Sequence, residues 1–171
     1  MPRYVALLRG VSPQNASMSA LKQCFEAAGF TNVRTVLSSG NVVFDARTAT
    51  ETSLERKAEA GMQGSLGHSF YTIVRRVESL RALLAADPYA AFAPPAHAKR
   101  VVSFLRGPVP AAVVLPISSD GAKILCATGR EIFTAYVPGD QGPVFMKLIE
   151  QAFGREVTTR TWETIRRCAA A

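Results

Sequence analysis

At 171 residues, 48% hydrophobic and 19% charged, the chain has the composition of an ordinary globular protein and the length of one domain or two small lobes, which excludes a disordered polymer. No run approaches the roughly 18 uninterrupted apolar residues of a membrane span; no secretory leader is expected before the first strand, and Cys24, Cys126 and Cys168 show no zinc or disulfide spacing, so a cytoplasmic location is expected. The net charge of +7 is carried by scattered doublets, Arg75-Arg76, Lys99-Arg100 and Arg166-Arg167, which fits a solvated surface better than a polyanion-binding run.

Tyr4 to Arg9 is an almost unbroken apolar run bounded by Gly10 and Pro13, which predicts a strand buried on both faces and central in its sheet. After a loop from Gly10 to Ala16, Met18, Leu21, Phe25 and Ala28 recur at helical spacing, with Ser17 as N-cap and Gly29 as stop. Asn32 to Ser38 and Asn41 to Asp45 read as strands joined by the tight turn Ser38-Ser39-Gly40-Asn41. A polar helix over Thr48 to Gly64 presents Leu54, Ala58 and Met62 on one side, and Phe70 to Val77 is a fourth strand. Strand, helix, hairpin, helix, strand is the order of the split β-α-β motif. A ferredoxin-like β-α-β-β-α-β part is therefore expected for residues 1–88 of an α+β fold.

Leu80, Leu83 and Leu84 mark a helix ending at Asp87-Pro88, and Tyr89 to Ala98 is an Ala/Pro-rich connector. Residues 89–171 are expected to form a smaller α+β lobe, packed on the first or continuous with it as one domain. Its elements are a strand over Arg100 to Leu105, a helical turn over Pro110 to Leu115, and a hairpin of Lys123 to Ala127 with Ile132 to Val137. A helix opened by Pro143 and closed by Gly154 follows, then a short extended segment from Val157 to Arg160 and a last helix carrying Trp162, Ile165 and Cys168.

Three polar segments are candidates for chemistry. In a β-α unit the first loop ends at a helix N-terminus whose free N–H groups favour an anion, and Gly10, Ser12, Asn15 and Ser17 supply small polar groups beside Arg9. Neither GxGxxG nor GxxxxGK[ST] is present, so an N-capped polar loop is the plainer reading. Ser39-Gly40-Asn41 is explained by turn chemistry, or by an Asn41 that orients a ligand. Trp162 packs the terminal helix, or forms a stacking wall beside Arg160. His68 and His97 read as surface-loop histidines, and Glu51, Glu55 and Glu59 as an exposed mixed-charge face rather than a metal site. An RNA-reading sheet needs stacking aromatics on its first and third strands. Tyr4 fits the first, but Asn41 and Val43 stand where the third strand needs rings, and Phe44 falls on the opposite face.

Tyr4-Val5-Ala6-Leu7-Leu8-Arg9-Gly10, Met18-x-x-Leu21, Gly29-Phe30 and Ser39-Gly40-Asn41-Val42-Val43-Phe44 together resemble the bacterial domain-of-unknown-function family 1697. Thr158-Thr159-Arg160-Thr161-Trp162-x-Thr164 is similar to that family's closing motif, so the resemblance reaches both ends, with a weaker middle. It implies a cytoplasmic α+β protein with a ferredoxin-like part and with no established activity, cofactor or substrate. The family's loop after Leu-Arg-Gly typically runs Ile-Asn-Val-Gly-Gly, whereas this chain has Val11-Ser12-Pro13-Gln14-Asn15. The lost Gly pair and added Pro13 stiffen the loop, so a ligand held there in the family would be held differently here or not at all.

The leading expectation is a protein that binds a small anionic ligand, with catalysis neither indicated nor excluded. The site would form where the first loop, the hairpin turn and the C-terminal segment converge. Arg9 and Arg160 would supply charge, Asn15, Ser39 and Asn41 hydrogen bonds, Gly10, Ser12 and Gly40 the loop backbone, and Trp162 a wall. The alternatives are a nucleic-acid or polyanion binder using scattered Arg and Lys, which the strands disfavour, and a non-catalytic oligomeric or interaction module. No metal set or cofactor motif is read, no membrane partner is expected, and the sequence leaves the oligomeric state open.

Overall fold

A computed structural model describes residues 1–139 and 144–171. The fold is α+β, with two antiparallel sheets in two compact units: 1–84 with 164–171, and 85–163.

In the first unit, β1 (Arg3–Leu8) is followed by α1 (Met18–Ala27), β2 (Thr31–Val36), β3 (Asn41–Asp45), α2 (Glu51–Leu66) and β4 (Thr72–Arg76). The strand order is β2-β3-β1-β4 with every neighbouring pair antiparallel. The apolar run of β1 is central, as expected, and Tyr4 to Leu8 are fully buried. Tyr4, Ala6 and Leu8 join Val42, Phe44 and Val74 beneath Leu21, Cys24 and Phe25 of α1 and Leu54, Ala58 and Met62 of α2. Val5, Leu7, Val43 and Ile73 alternate to the other face and are equally inaccessible, which is why β1 reads as a continuous apolar run.

The helix ends are set locally. Ser17 Oγ accepts from the Ala20 N–H at 3.1 Å, and after α1 the chain turns at Gly29, whose N–H donates to Glu26 O at 3.0 Å. Thr50 caps α2 through the Ser53 N–H, so this helix starts and ends two or three residues later than expected. The glutamates of α2 are not the exposed face the sequence suggested. β4 is an edge strand, and its outward amides need acceptors: Glu55 takes the Val74 N–H at 2.9 Å and Glu59 the Thr72 N–H at 3.1 Å. Glu51 lies 3.7 Å from the guanidinium of Arg75, and Glu55 and Arg75 are both buried. α3 (Val77–Ala86) leaves β4 directly. Part of α5 (Trp162–Ala170) returns to this unit, where Arg81 Nε donates to Ala169 O at 3.1 Å and Arg3 Nε to Ala171 O at 2.9 Å.

The second unit holds β5 (Lys99–Leu105), β6 (Ile117–Ser119), β7 (Ala122–Thr128), β8 (Glu131–Tyr136), α4 (Val144–Phe153) and β9 (Val157–Thr161), with sheet order β6-β7-β8-β5-β9. Leu148 and Ile149 of α4 cover Leu105, Ile124, Ile132 and Val157. The expected helical turn over Pro110 to Leu115 is a single turn closed by Val113 N–H to Pro110 O, and β6, three residues long, was not anticipated. Gly154 ends α4 at φ +85° as expected, whereas Pro143 lies outside the described residues.

Candidate functional site

The first loop and the hairpin turn meet within the first unit. Arg9 follows the end of β1, and its amide donates to Tyr71 O at 2.9 Å. Beyond it the loop closes on itself. Asn15 Oδ1 accepts from the Ser12 N–H and Asn15 Nδ2 donates to Gly10 O, both at 2.8 Å. The hairpin is also self-contained: Asn41, fully buried, donates to Val36 O at 2.8 Å and Ser39 Oγ at 3.0 Å. The two segments touch at Gly40, whose carbonyl accepts from the Leu8 N–H at 2.9 Å. A Cβ there would lie 2.8 Å from Val11 Cγ2, an approach only glycine permits. Asn15 and Asn41 thus spend their amides folding the segments that carry them.

Arg160 and Trp162 belong to the second unit. Arg160, largely buried, donates to Thr158 Oγ1 at 2.7 Å and Thr159 O at 2.9 Å. Trp162 is 4% exposed and packs edge-on against Tyr89 and Phe133, with centroids 5.1 and 6.3 Å away. The phenol of Tyr89 donates to Val101 O at 2.6 Å, and burial pushes its pKa far above the ordinary tyrosine range. An indole enclosed by these rings packs the unit.

A cavity of about 620 Å³ opens in the first unit where β2, the end of β3 and the start of α2 adjoin. Its wall includes Thr31, Asp45, Arg47, Thr48, Ser53 and Lys57. Asp45 does not make it anionic, because Arg3 Nη1 at 2.8 Å and Asn32 Nδ2 at 3.1 Å each bond one carboxylate oxygen. Burial works against its charge, but these hydrogen bonds outweigh it and hold its pKa below the ordinary 3.8. Thr31 and Ser53 direct their hydroxyl protons to Asp45 O and Thr50 O. Arg47, Thr48 and Lys57 therefore remain as donors, and neither cation forms an ion pair among the described residues. The Lys57 ammonium sits 4.8 Å from the centroid of the Phe30 ring, held at the lip by a cation–π contact. Sequence reading missed this cavity because its residues come from three elements, and the only signal was a polar stretch after an apolar strand.

His68 and His97 are exposed, His68 edge-on to Phe70. Tyr4 and Phe44 stack on each other at 5.8 Å beneath the helices, so neither offers a ring to a nucleobase. Among the described residues no three His, Cys, Asp or Glu side chains gather as a metal set, and no helix is long and apolar enough to cross a membrane.

These features define an α+β protein of two units with a cationic cleft in the first. The chain belongs to the family of proteins of unknown function DUF1697, which matches residues 1–133. The closing segment around Arg160 and Trp162 lies beyond that match. Among solved structures, the conserved bacterial protein SP0830 from Streptococcus pneumoniae is similar, with a TM-score of 0.73 and 18% identity over 99% of this chain and 97% of that one. At that identity the likeness is one of fold. No curated protein matches the chain.

Proposed function

We propose that this protein binds a small anionic ligand in the first-unit cavity. The observation that carries the reading is a cleft of about 620 Å³ whose one carboxylate is neutralised by Arg3 while Arg47 and Lys57 line its wall. Its volume is that of sites for small metabolites, roughly 300–1,000 Å³. Thr48 adds a hydroxyl, and the dry Phe30 face fixes the ammonium without neutralising it.

The order β2-β3-β1-β4, antiparallel throughout, supports reading this unit as ferredoxin-like, and Cys24, Cys126 and Cys168, none of them joined in a disulfide, fit a reducing cytoplasm. A second reading places the anion on Arg9, Gly10, Ser12, Asn15, Ser39, Gly40 and Asn41. It is favoured by the contact of Gly40 with Val11 and Leu8, which joins the two loops.

The test is an NMR titration with inorganic phosphate and AMP, read against the Arg47→Glu variant. Arg47 is exposed, so the fold should survive the change. Shifts at Thr31, Thr48, Ser53 and Lys57, weakened several-fold in the variant, are the expected result. Shifts at Ser12 and Ser39 instead would move the site to the loops. No saturable shift with either anion would end both readings.

A further inference from the structure

We propose a separate pocket in the second unit for a single-ring amphipathic anion, of the class of aromatic carboxylates. It is independent of the first-unit cavity and of what that cavity binds.

Lys123 and Leu125 of β7, Ala135 of β8 and Val137 just beyond it line a half-open pocket of about 200 Å³ with Phe92 and the Pro94-Pro95 connector. That exceeds the roughly 150 Å³ cavity that accepts a benzene ring, and falls short of the roughly 300 Å³ at which drug-sized sites begin. The space therefore suits one ring. Two of the few large apolar side chains left exposed among the described residues, Phe92 at 42% and Val137 at 39%, both line it. Their coincidence at one concavity marks an apolar surface that a ligand would cover.

Charge sets the second half of the ligand. The register pairs Lys123 with Ala135 on one side and Arg100 with Ala135 on the other. Residues directly opposite on neighbouring strands share a face, so two cations flank the small Ala135 side chain. Arg100 Cζ lies over the Tyr89 ring at 5.5 Å, a cation–π contact that leaves the guanidinium its positive charge. Among the described residues neither Lys123 nor Arg100 forms an ion pair. An apolar ring would fill the space over Leu125 and Val137, and its carboxylate would lie toward Lys123 with Arg100 adding to the local field. A free phosphate offers nothing to the apolar wall, and a neutral ring nothing to the cations.

The test uses the full chain with benzoate as probe, benzyl alcohol as the ring without the charge and acetate as the charge without the ring. Ligand-observed NMR and the fluorescence of Trp162, the only tryptophan, are the readouts. Trp162 contacts Phe133, which lies two residues before Ala135 on the same side of β8, so it reports on this face. Benzoate should bind saturably and more tightly than either control. Lys123→Glu should weaken it about two- to fivefold, the order of one partly exposed charge pair. Phe92→Ala, at an exposed position that leaves the fold intact, should also weaken it several-fold while leaving acetate unaffected. Equal binding of benzoate and benzyl alcohol, an unchanged affinity in Lys123→Glu, or no saturable benzoate binding would each overturn the proposal.

Discussion

Glycines of the first unit show how much a single hydrogen atom can decide. At Gly40, φ is +88° and an added methyl would meet Val11 Cγ2 at 2.8 Å, so Gly40→Ala combines backbone strain with overpacking. It should cost on the order of 2–4 kcal/mol in urea unfolding. Gly64 has no neighbour within 4 Å of an added Cβ and lies inside α2, so Gly64→Ala should stabilise by about 0.5–1 kcal/mol in the same measurement. Asp45 gives the residue-scale pH dependence. Its folded pKa lies below the ordinary 3.8, so its bonds to Arg3 and Asn32 contribute stability above the unfolded value and lose it as pH falls through the folded one. The stability gap between wild type and Asp45→Asn should accordingly shrink toward zero as urea unfolding is repeated from about pH 6 down to about pH 2.

At the scale of elements, α2 acts as a partner to the edge of β4. Removing Glu55 leaves the Val74 N–H buried without its acceptor, so Glu55→Ala should cost about 1–3 kcal/mol and speed amide exchange at Val74. Glu55→Gln keeps a carbonyl oxygen and should cost less. The four-residue spacing of Glu51, Glu55 and Glu59 is plain in the sequence, yet spacing alone shows a face and not what the face meets. That depends on β4 lying at the end of the sheet, which is a tertiary fact. Runs whose burial pattern is their own signature were legible: the apolar Tyr4 to Leu8, and Asn41 to Asp45 with its turn. Ile117 to Ser119 was not, because three residues cannot display an alternation. The candidate site was legible only in part. The first loop and the hairpin do touch, but the cleft of Arg47 and Lys57 is assembled from residues with no shared motif.

For the whole molecule, the charge of +7 and the buried stacking of Tyr4 on Phe44 set what a polyanion could do. Any retention on heparin or RNA should be electrostatic, falling steeply with added salt and without base preference, as salt-stepped elution and competition between RNA homopolymers would show. The return of residues 164–171 to the first unit has a comparable reach. Ile165 is fully buried, so Ile165→Ala should cost about 2–4 kcal/mol and raise amide exchange in residues 1–84 as well as in α5.

That return also orders events at the ribosome. Residues 85–163 emerge as one uninterrupted stretch, whereas residues 1–84 must wait for the last eight before their unit is whole. The unit that begins first in the chain is therefore finished last. At roughly 5–20 residues per second of synthesis, its opening segment spends several seconds without its closing helix, and in that interval a chaperone would find it most exposed.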